Sequence, residues 1–379
     1  MLDLRGKRGG GSPSNAHDQT WVTLPGGAGV PGQPNPVRRI TIVDVARHAG
    51  VSITAVSKVL RNAYGASPEM QTKVRAAIEQ LGYRPSATAR GLRGRTYTIG
   101  VLLPEIRNPF FADVLDGVTE HLDGGEYQLL MAQCRNDEAC EARLTDAMID
   151  RSMDGVILIA PVSSRRRLQA VARTVSTVVV GRHGHSADYD TVTDDDVAGA
   201  GLVVGHLAEL GHRHIAHIEH FETDPVRLTE MPNAQRADGY RRAMNAHGLA
   251  DGIDVVSTSY TQEGGYLGAQ RLLDREVQPT AIFAGADIVA MGVFDALTEA
   301  GLSAPEDISL AGYDNTTFAA FGPISLTTVD QAGHQMGVDA ARLLLDRIAD
   351  RAKPTAQLKL SPTLVARRTT AAPSTRGRI

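Results

Sequence analysis

Ile40-Thr-Ile-Val-Asp-Val-Ala-Arg-His-Ala-Gly-Val-Ser-Ile-Thr-Ala-Val-Ser-Lys-Val-Leu60 reads as two short helices with a tight turn between them. Thr41 is a residue type that caps a helix start, because its hydroxyl can satisfy one of the free amides there. Ile42, Val45, Ala46 and Ala49 follow at i, i+3, i+4 and i+7, which makes one apolar face. Gly50 stops the helix, since glycine enters the left-handed conformation of a sharp helix end at no steric cost. Ser52 caps a second helix that turns Val56, Val59 and Leu60 inward and Ile53, Thr54, Ala55, Ser57 and Lys58 outward. The pattern predicts a helix-turn-helix whose second helix fits a DNA major groove. Two amphipathic helices joined at a glycine suit ordinary core packing equally well, so the flanking sequence has to decide.

Downstream, Ser67-Pro68-Glu69 supplies a cap, a proline at the first helical position and an acid in the first turn. The helix it opens runs through Val74, Ile78 and Leu81 to Gly82, which completes a three-helix unit. The stretch Tyr83–Arg95 is then basic, with small residues and one leucine. Taken in order, Thr41–Ser52, Val56–Leu60, Leu81-Gly-Tyr-Arg-Pro85 and Ala89-Arg-Gly-Leu92 resemble the lactose-repressor (LacI/GalR) family. The resemblance extends from residue 38 to about residue 370.

Charge is segregated along the chain. The formal net charge is −4, yet residues 37–97 hold 11 Lys/Arg against 3 acids, while residues 98–379 hold 25 against 38. A basic head on an acidic body draws phosphates to one domain and keeps the other off a polyanion. The hydrophobic fraction of 42% is that of a soluble protein, and no apolar run reaches membrane-spanning length. Cys134 and Cys140 cannot form a disulfide framework and have no third ligand nearby at zinc spacing, which fits reduced thiols in a cytoplasm. The N-terminus lacks a charged-then-apolar export pattern. A cytoplasmic, nucleoid-associated protein is expected.

Residues 1–36, rich in Gly, Pro, Ser and Asn, are expected to form a disordered extension. Their Gly27-Ala-Gly-Val-Pro-Gly32 matches a dinucleotide fingerprint only formally, having a proline inside and no strand or helix around it. The expected organisation is then a helix-turn-helix domain over 37–85, a hinge over 86–96, an effector and dimerisation body over 97–370 and a flexible tail over 371–379. Within the body, β-branched runs such as Thr98–Leu103, Gly155–Ile159, His214–Ile218 and Ser325–Val329 alternate with amphipathic stretches such as Glu138–Arg151 and His334–Asp350. This predicts an α/β fold of parallel sheets flanked by helices, too long for one sheet and therefore two-lobed. Ligands of such sheets bind at the carboxyl ends of the strands, here in the cleft between lobes. The resemblance implies the periplasmic-binding-protein-like fold, which has this design.

Several residues are candidates for a ligand site. Asn108, Phe110 and Phe111 follow the first strand of the body, and their rings could stack on a sugar or simply pack in the core. Arg182 ends a strand, where its guanidinium fork could hold hydroxyls or a carboxylate. Arg236 sits early in a helix, against the dipole, so a partner is expected; the resemblance makes it the effector-contacting arginine. Tyr260 matches a position that often holds a pocket aromatic, and Asp314, in Leu310-Ala-Gly-Tyr-Asp-Asn315, matches the effector-contacting acid. Asp287 belongs to a family signature, but Ala286 stands where asparagine is frequent, so effector identity does not carry over. Gln331 completes the set. The histidines 206, 212, 214, 217 and 220 invite a metal reading, although a helix-to-strand connection accounts for them better. Asp194-Asp195-Asp196 reads as helix capping.

No G-x-S-x-G, P-loop or H-E-x-x-H pattern is present, so the common enzyme readings lack their parts. The chain is expected to be no enzyme, to need no cofactor and no metal, and to make no membrane contact. The expected function is a DNA-binding transcriptional regulator, a repressor, controlled by a small effector of sugar type. Thr41, Ser52, Ile53, Thr54, Ala55, Ser57, Lys58 and Arg61 would read DNA. The resemblance implies a hinge helix over 86–93 that forms on operator DNA, with Ala89 and the wedge Leu92 at the minor groove. It also implies a homodimer on a palindromic operator, without the extra helix that makes tetramers of some relatives. A solute-binding protein of the same fold, an enzyme acting on sugars and a regulator answering to a purine or phosphorylated metabolite stay open.

Overall fold

The computed structural model describes residues 40–60, 66–83 and 95–374. The chain divides into two compact units at Pro85/Ser86. In the first, α1 (Ile42–Ala49) opens on a capping box in which the Asp44 carboxylate accepts the Thr41 amide at 2.9 Å and hydroxyl at 2.7 Å. Gly50 ends it in the left-handed region at φ 66°, and Ser52 Oγ accepts the Ala55 amide at 3.1 Å to start α2 (Ile53–Leu60). Ser67 caps α3 (Pro68–Leu81) through the Met70 amide. Val45, Val56 and Val74 are wholly buried where the three helices meet, and Tyr83 closes the core. Ser57 corrects the outward placement expected for it: it is buried beside Val56, because α2 turns a wider face inward than the apolar residues alone suggest.

The second unit has two lobes. The N-terminal lobe holds a six-stranded parallel sheet of order β11-β5-β4-β3-β1-β2. Its strands are β1 (Thr98–Leu103), β2 (Gln128–Gln133), β3 (Gly155–Ile159), β4 (Ser176–Val180), β5 (Asp190–Asp194) and β11 (Gln357–Leu360). The C-terminal lobe holds a four-stranded parallel sheet of order β7-β6-β8-β9. It comprises β6 (Ile215–His220), β7 (Ile253–Thr258), β8 (Ala281–Ala284) and β9 (Ser309–Ala311), beside a ribbon of β10 (Thr328–Asp330) and β12 (Thr363–Val365). The chain passes between lobes after β5, after β10 and after β11. In each lobe one helix pair packs backbone to backbone. A Cβ on Gly337 would lie 2.0 Å from the Val114 carbonyl, and one on Gly292 1.8 Å from that of Gln262.

Several elements differ from expectation. Asp190–Asp194 is a buried strand although both ends are acidic; Arg347 neutralises Asp190 through contacts of 2.6 and 2.8 Å, and Tyr313 donates to Asp194 at 2.6 Å. Of the three consecutive aspartates only Asp195 caps the next helix, accepting the Ala198 amide, while Asp194 and Asp196 are buried. The Ser325–Val329 strand shrinks to β10, since Ser325 takes φ 47°. The helix Arg165–Thr174 forms although three arginines at its start oppose the helix dipole. Cys134 and Cys140 are free thiols, and burial pushes Cys134 up to about 11. Among the described residues no helix is long and apolar enough to cross a membrane.

Candidate functional site

In the first unit, α2 presents Ile53 at 46% exposure, with Ser52 and Thr54 exposed and Ala55 and Lys58 half-buried. The Ser52 oxygen is engaged by the Ala55 amide, which leaves its proton to donate outward. Thr41 is exposed at the start of α1. Arg61, Ala89, Leu92 and the hinge expected over 86–93 lie outside the described residues.

In the second unit a cavity of about 300 Å³ opens between the lobes, at the carboxyl ends of their strands. Asn108, Phe110, Phe111, Arg236, Tyr260, Asp314 and Gln331 all line it. Asn108 is also the N-cap of the Pro109–Leu122 helix, accepting the Phe110 amide at 3.1 Å. That bond turns the two phenylalanines toward the cleft, edge to face at 5.5 Å. Phe110 is buried in the core of its lobe as well as touching the cavity, so both readings of that residue apply.

Arg236 stands in the first turns of the Pro232–Ala246 helix and is paired on every side. Its Nε donates to Asp196 at 2.6 Å, Nη1 to the Gly285 carbonyl at 2.9 Å and Nη2 to Gln331 at 3.3 Å. The guanidinium lies 3.8 Å over the Tyr313 ring, and Asp314 Oδ1 is 3.9 Å away. Burial works against its charge, but Asp196, Tyr313, Asp314 and Asp194 outweigh it. Asp314, held at φ 123°, receives Gln331 Nε2 on Oδ1, while its buried Oδ2 has no partner. Burial raises its carboxyl well above the usual range. Tyr260 packs edge-on to His220 at 5.3 Å, and its buried hydroxyl is likewise unpartnered and pushed up by burial. Two buried polar atoms, on residues that line the cavity, thus lack hydrogen bonds.

Two candidates do not reach it. Arg182 is buried behind the wall, donating to Glu230 at 2.9 Å and to the Pro161 carbonyl at 3.0 Å. Asp287 accepts the Thr316 amide at 2.8 Å and the Thr328 hydroxyl at 2.6 Å, which clips two loops together. Burial pushes it up to about 6. Conversely, Phe221, Glu222, Arg227 and Met231 line the cavity and were missed. They follow the carboxyl end of β6, so the strand-end rule that singled out Asn108 also pointed here. Three of the histidines are structural, His206 meeting Thr370 at 2.9 Å, His212 bridging Thr280 and Ser309 and His217 stacking on Phe283 at 4.5 Å, whereas His220 lines the cavity.

The fold and the cleft define a class, a two-lobed ligand-binding body joined in one chain to a helix-turn-helix. Residues 41–86 match the model of bacterial regulatory proteins of the lacI family, and residues 204–370 match that of the periplasmic binding protein-like domain. The chain is 34% identical to the ribose operon repressor of Escherichia coli K12 over 332 residues, covering 86% of this chain and 98% of that protein. It is also 34% identical to the HTH-type transcriptional repressor PurR of Klebsiella pneumoniae (strain 342), over 87% of this chain and 97% of the other. A LacI family regulator from Enterococcus faecium, solved with bound ribose, superposes with TM-score 0.64 and 30% identity over 73% of this chain and 99% of its own. The chain belongs to the LacI family of bacterial regulatory proteins, and it is a DNA-binding transcriptional repressor controlled by an effector.

Proposed function

We propose that the effector is a neutral monosaccharide of about pentose size, bound in the interlobe cavity by Asp314, Arg236, Tyr260 and Gln331 and covered by Phe110 and Phe111. The observation that carries this reading is that Asp314 and Tyr260, whose buried Oδ2 and hydroxyl have no hydrogen-bond partner, both line one small cavity. A carboxylate that accepts vicinal hydroxyls orients a polyol, and rings cover the apolar face of a sugar. The volume of about 300 Å³ lies at the small end of ligand sites. Charge argues against a phosphorylated metabolite, because Arg227 and Arg236, the cavity's arginines among the described residues, are engaged by Glu222 at 2.9 Å and Asp196 at 2.6 Å. The ribose-bound relative supports the same class.

At the other end of the chain, Ile53, Thr54, Ala55 and Lys58 read base edges and Ser52 holds a phosphate, whereas Thr41, expected to do the same, gives its hydroxyl proton to Asp44. The protein acts as a homodimer on a palindromic operator. Support for pairing comes from Phe318, 50% exposed on the C-terminal lobe beside Ile288, Met291 and Phe294. Calorimetry of the full chain with D-ribose, D-glucose, D-ribose 5-phosphate and hypoxanthine tests the effector. Binding of a neutral sugar is expected, and binding of the phosphate or the base alone overturns the reading. Lys58→Ala should weaken operator binding by roughly 1–3 kcal/mol with the fold intact.

A further inference from the structure

The segment Phe221–Met231 leaves β6 in the C-terminal lobe but is made fast to the other lobe. The buried Glu230 carboxylate receives Arg182 Nε at 2.9 Å and Nη2 at 2.8 Å, and also pairs with Arg165. Its backbone carbonyl accepts the His183 amide at 2.7 Å, and Arg227 donates to the Val162 carbonyl at 3.2 Å. All these partners lie just beyond the carboxyl ends of β3 and β4. Arg182 is itself fixed by the Pro161 carbonyl, so the receptor for Glu230 belongs to the N-terminal lobe alone. Gly184, at φ 110°, leaves the room: a Cβ there would meet the Arg165 guanidinium at 2.9 Å and Glu230 at 3.3 Å. The same segment supplies Phe221, Glu222, Arg227 and Met231 to the cavity wall.

We infer that Glu230 is the positioning residue of a strap that couples effector capture to lobe closure. With Glu230 seated on Arg182, the strap walls the cavity; when the lobes part, that wall leaves with the C-terminal lobe. A buried ion pair is made or broken as a whole, so it favours two arrangements over a continuum. A ligand touching both lobes gains its full contacts only in the fastened arrangement, so latch and ligand stabilise each other reciprocally. The ligand half of this inference rests on the effector reading above; the latch half does not.

The test uses full-length protein carrying Glu230→Gln, with Arg165→Ala as a milder exposed variant. Hydrogen exchange is followed without ligand, and D-ribose binding by stopped flow. In Glu230→Gln, exchange over 182–184 and 222–231 should rise about tenfold while β6 and the 232–246 helix keep their protection, and D-ribose should dissociate about tenfold faster. Arg165→Ala should move both readouts in the same direction by less. Unchanged exchange, or exchange rising evenly through the C-terminal lobe, overturns the latch. Unchanged dissociation from Glu230→Gln, in a protein whose Asp314→Asn variant loses D-ribose, also overturns it and leaves the effector reading standing. Altered exchange in a protein that binds neither D-ribose nor D-glucose upholds the latch and refutes the effector reading.

Discussion

The two lobes share a parallel sheet, flanking helices and a glycine crossing, but they differ at the core and at the cleft. In the N-terminal lobe the first strand β1, which lies between β2 and β3 as β6 lies between β7 and β8, is Thr-Ile-Gly-Val-Leu-Leu, buried beyond its first residue. Its counterpart β6 carries His217 in the middle, wholly buried between Phe283 and Tyr240 with Nδ1 2.9 Å from the Phe283 carbonyl. At the cleft, the N-terminal wall offers the rings of Phe110 and Phe111 beside the polar Glu105, Asn108 and Asn136, and the C-terminal wall offers the ion-paired Arg236 and Arg227 beside Asp314, Tyr260, Phe221 and Met231. Under the proposed function the difference divides the labour. Charged groups that already hold one another orient a ligand without reorganising, and an apolar cover can close and open without breaking hydrogen bonds to water.

That comparison can be broken most directly at Asp314. Asp314→Ala should cost about 3 kcal/mol of effector binding, the usual scale for truncating a buried hydrogen-bonded charge, as measured by calorimetry. An equal loss from the phenylalanine wall would erase the division. The cores are tested next by His217→Phe. The unfolded imidazole takes its proton near 6.5, whereas burial lowers the folded group to about 3. The native state therefore binds fewer protons in that window, and stability present above pH 6.5 is lost as pH falls toward 3. Between pH 7 and pH 5 the wild type should lose about 2 kcal/mol that the variant keeps, read by urea unfolding at both pH values. Asp287, raised to about 6, works with the opposite sign, and being present in both proteins it cancels from the difference. Parallel pH curves would mean that the imidazole is not protected in the fold. The smallest effect is expected from Phe111→Ala, about 1 kcal/mol of effector affinity, the worth of one ring contact.

The helix-turn-helix was legible because its signals are local. Capping at Thr41, Ser52 and Ser67 and the stop at Gly50 each involve neighbours within a few residues, and each has the partner its residue type demands. Ser57 escaped because burial depends on how α2 docks, which no i, i+4 pattern records. In the body, aliphatic strands announced themselves, whereas β5 was hidden by acids whose neutralising partners are Arg347 and Tyr313, 157 and 119 residues away. Arg182, at a strand end, and Arg236, early in a helix, were both candidates for holding a ligand. One faces the cavity and the other is consumed by Glu230, and the local sequence of neither distinguishes them. Asp287 and Asp314 divide in the same way, one clipping Thr316 and Thr328 together and the other turned into the cleft.

By itself, then, the sequence determined the helix-turn-helix and the alternation of strands and helices, which follow from hydrophobic period and capping, the segregation of charge, and, through strand-end topology and the family resemblance, the short list of cleft residues. Only the tertiary structure decided which of those side chains reach the cavity, which are spent on holding the wall, and that residues 221–231 reach over to the other lobe. The reason is physical. A buried charge takes its role from the partner that neutralises it, and Glu230 stands 48 residues from Arg182 and 65 from Arg165.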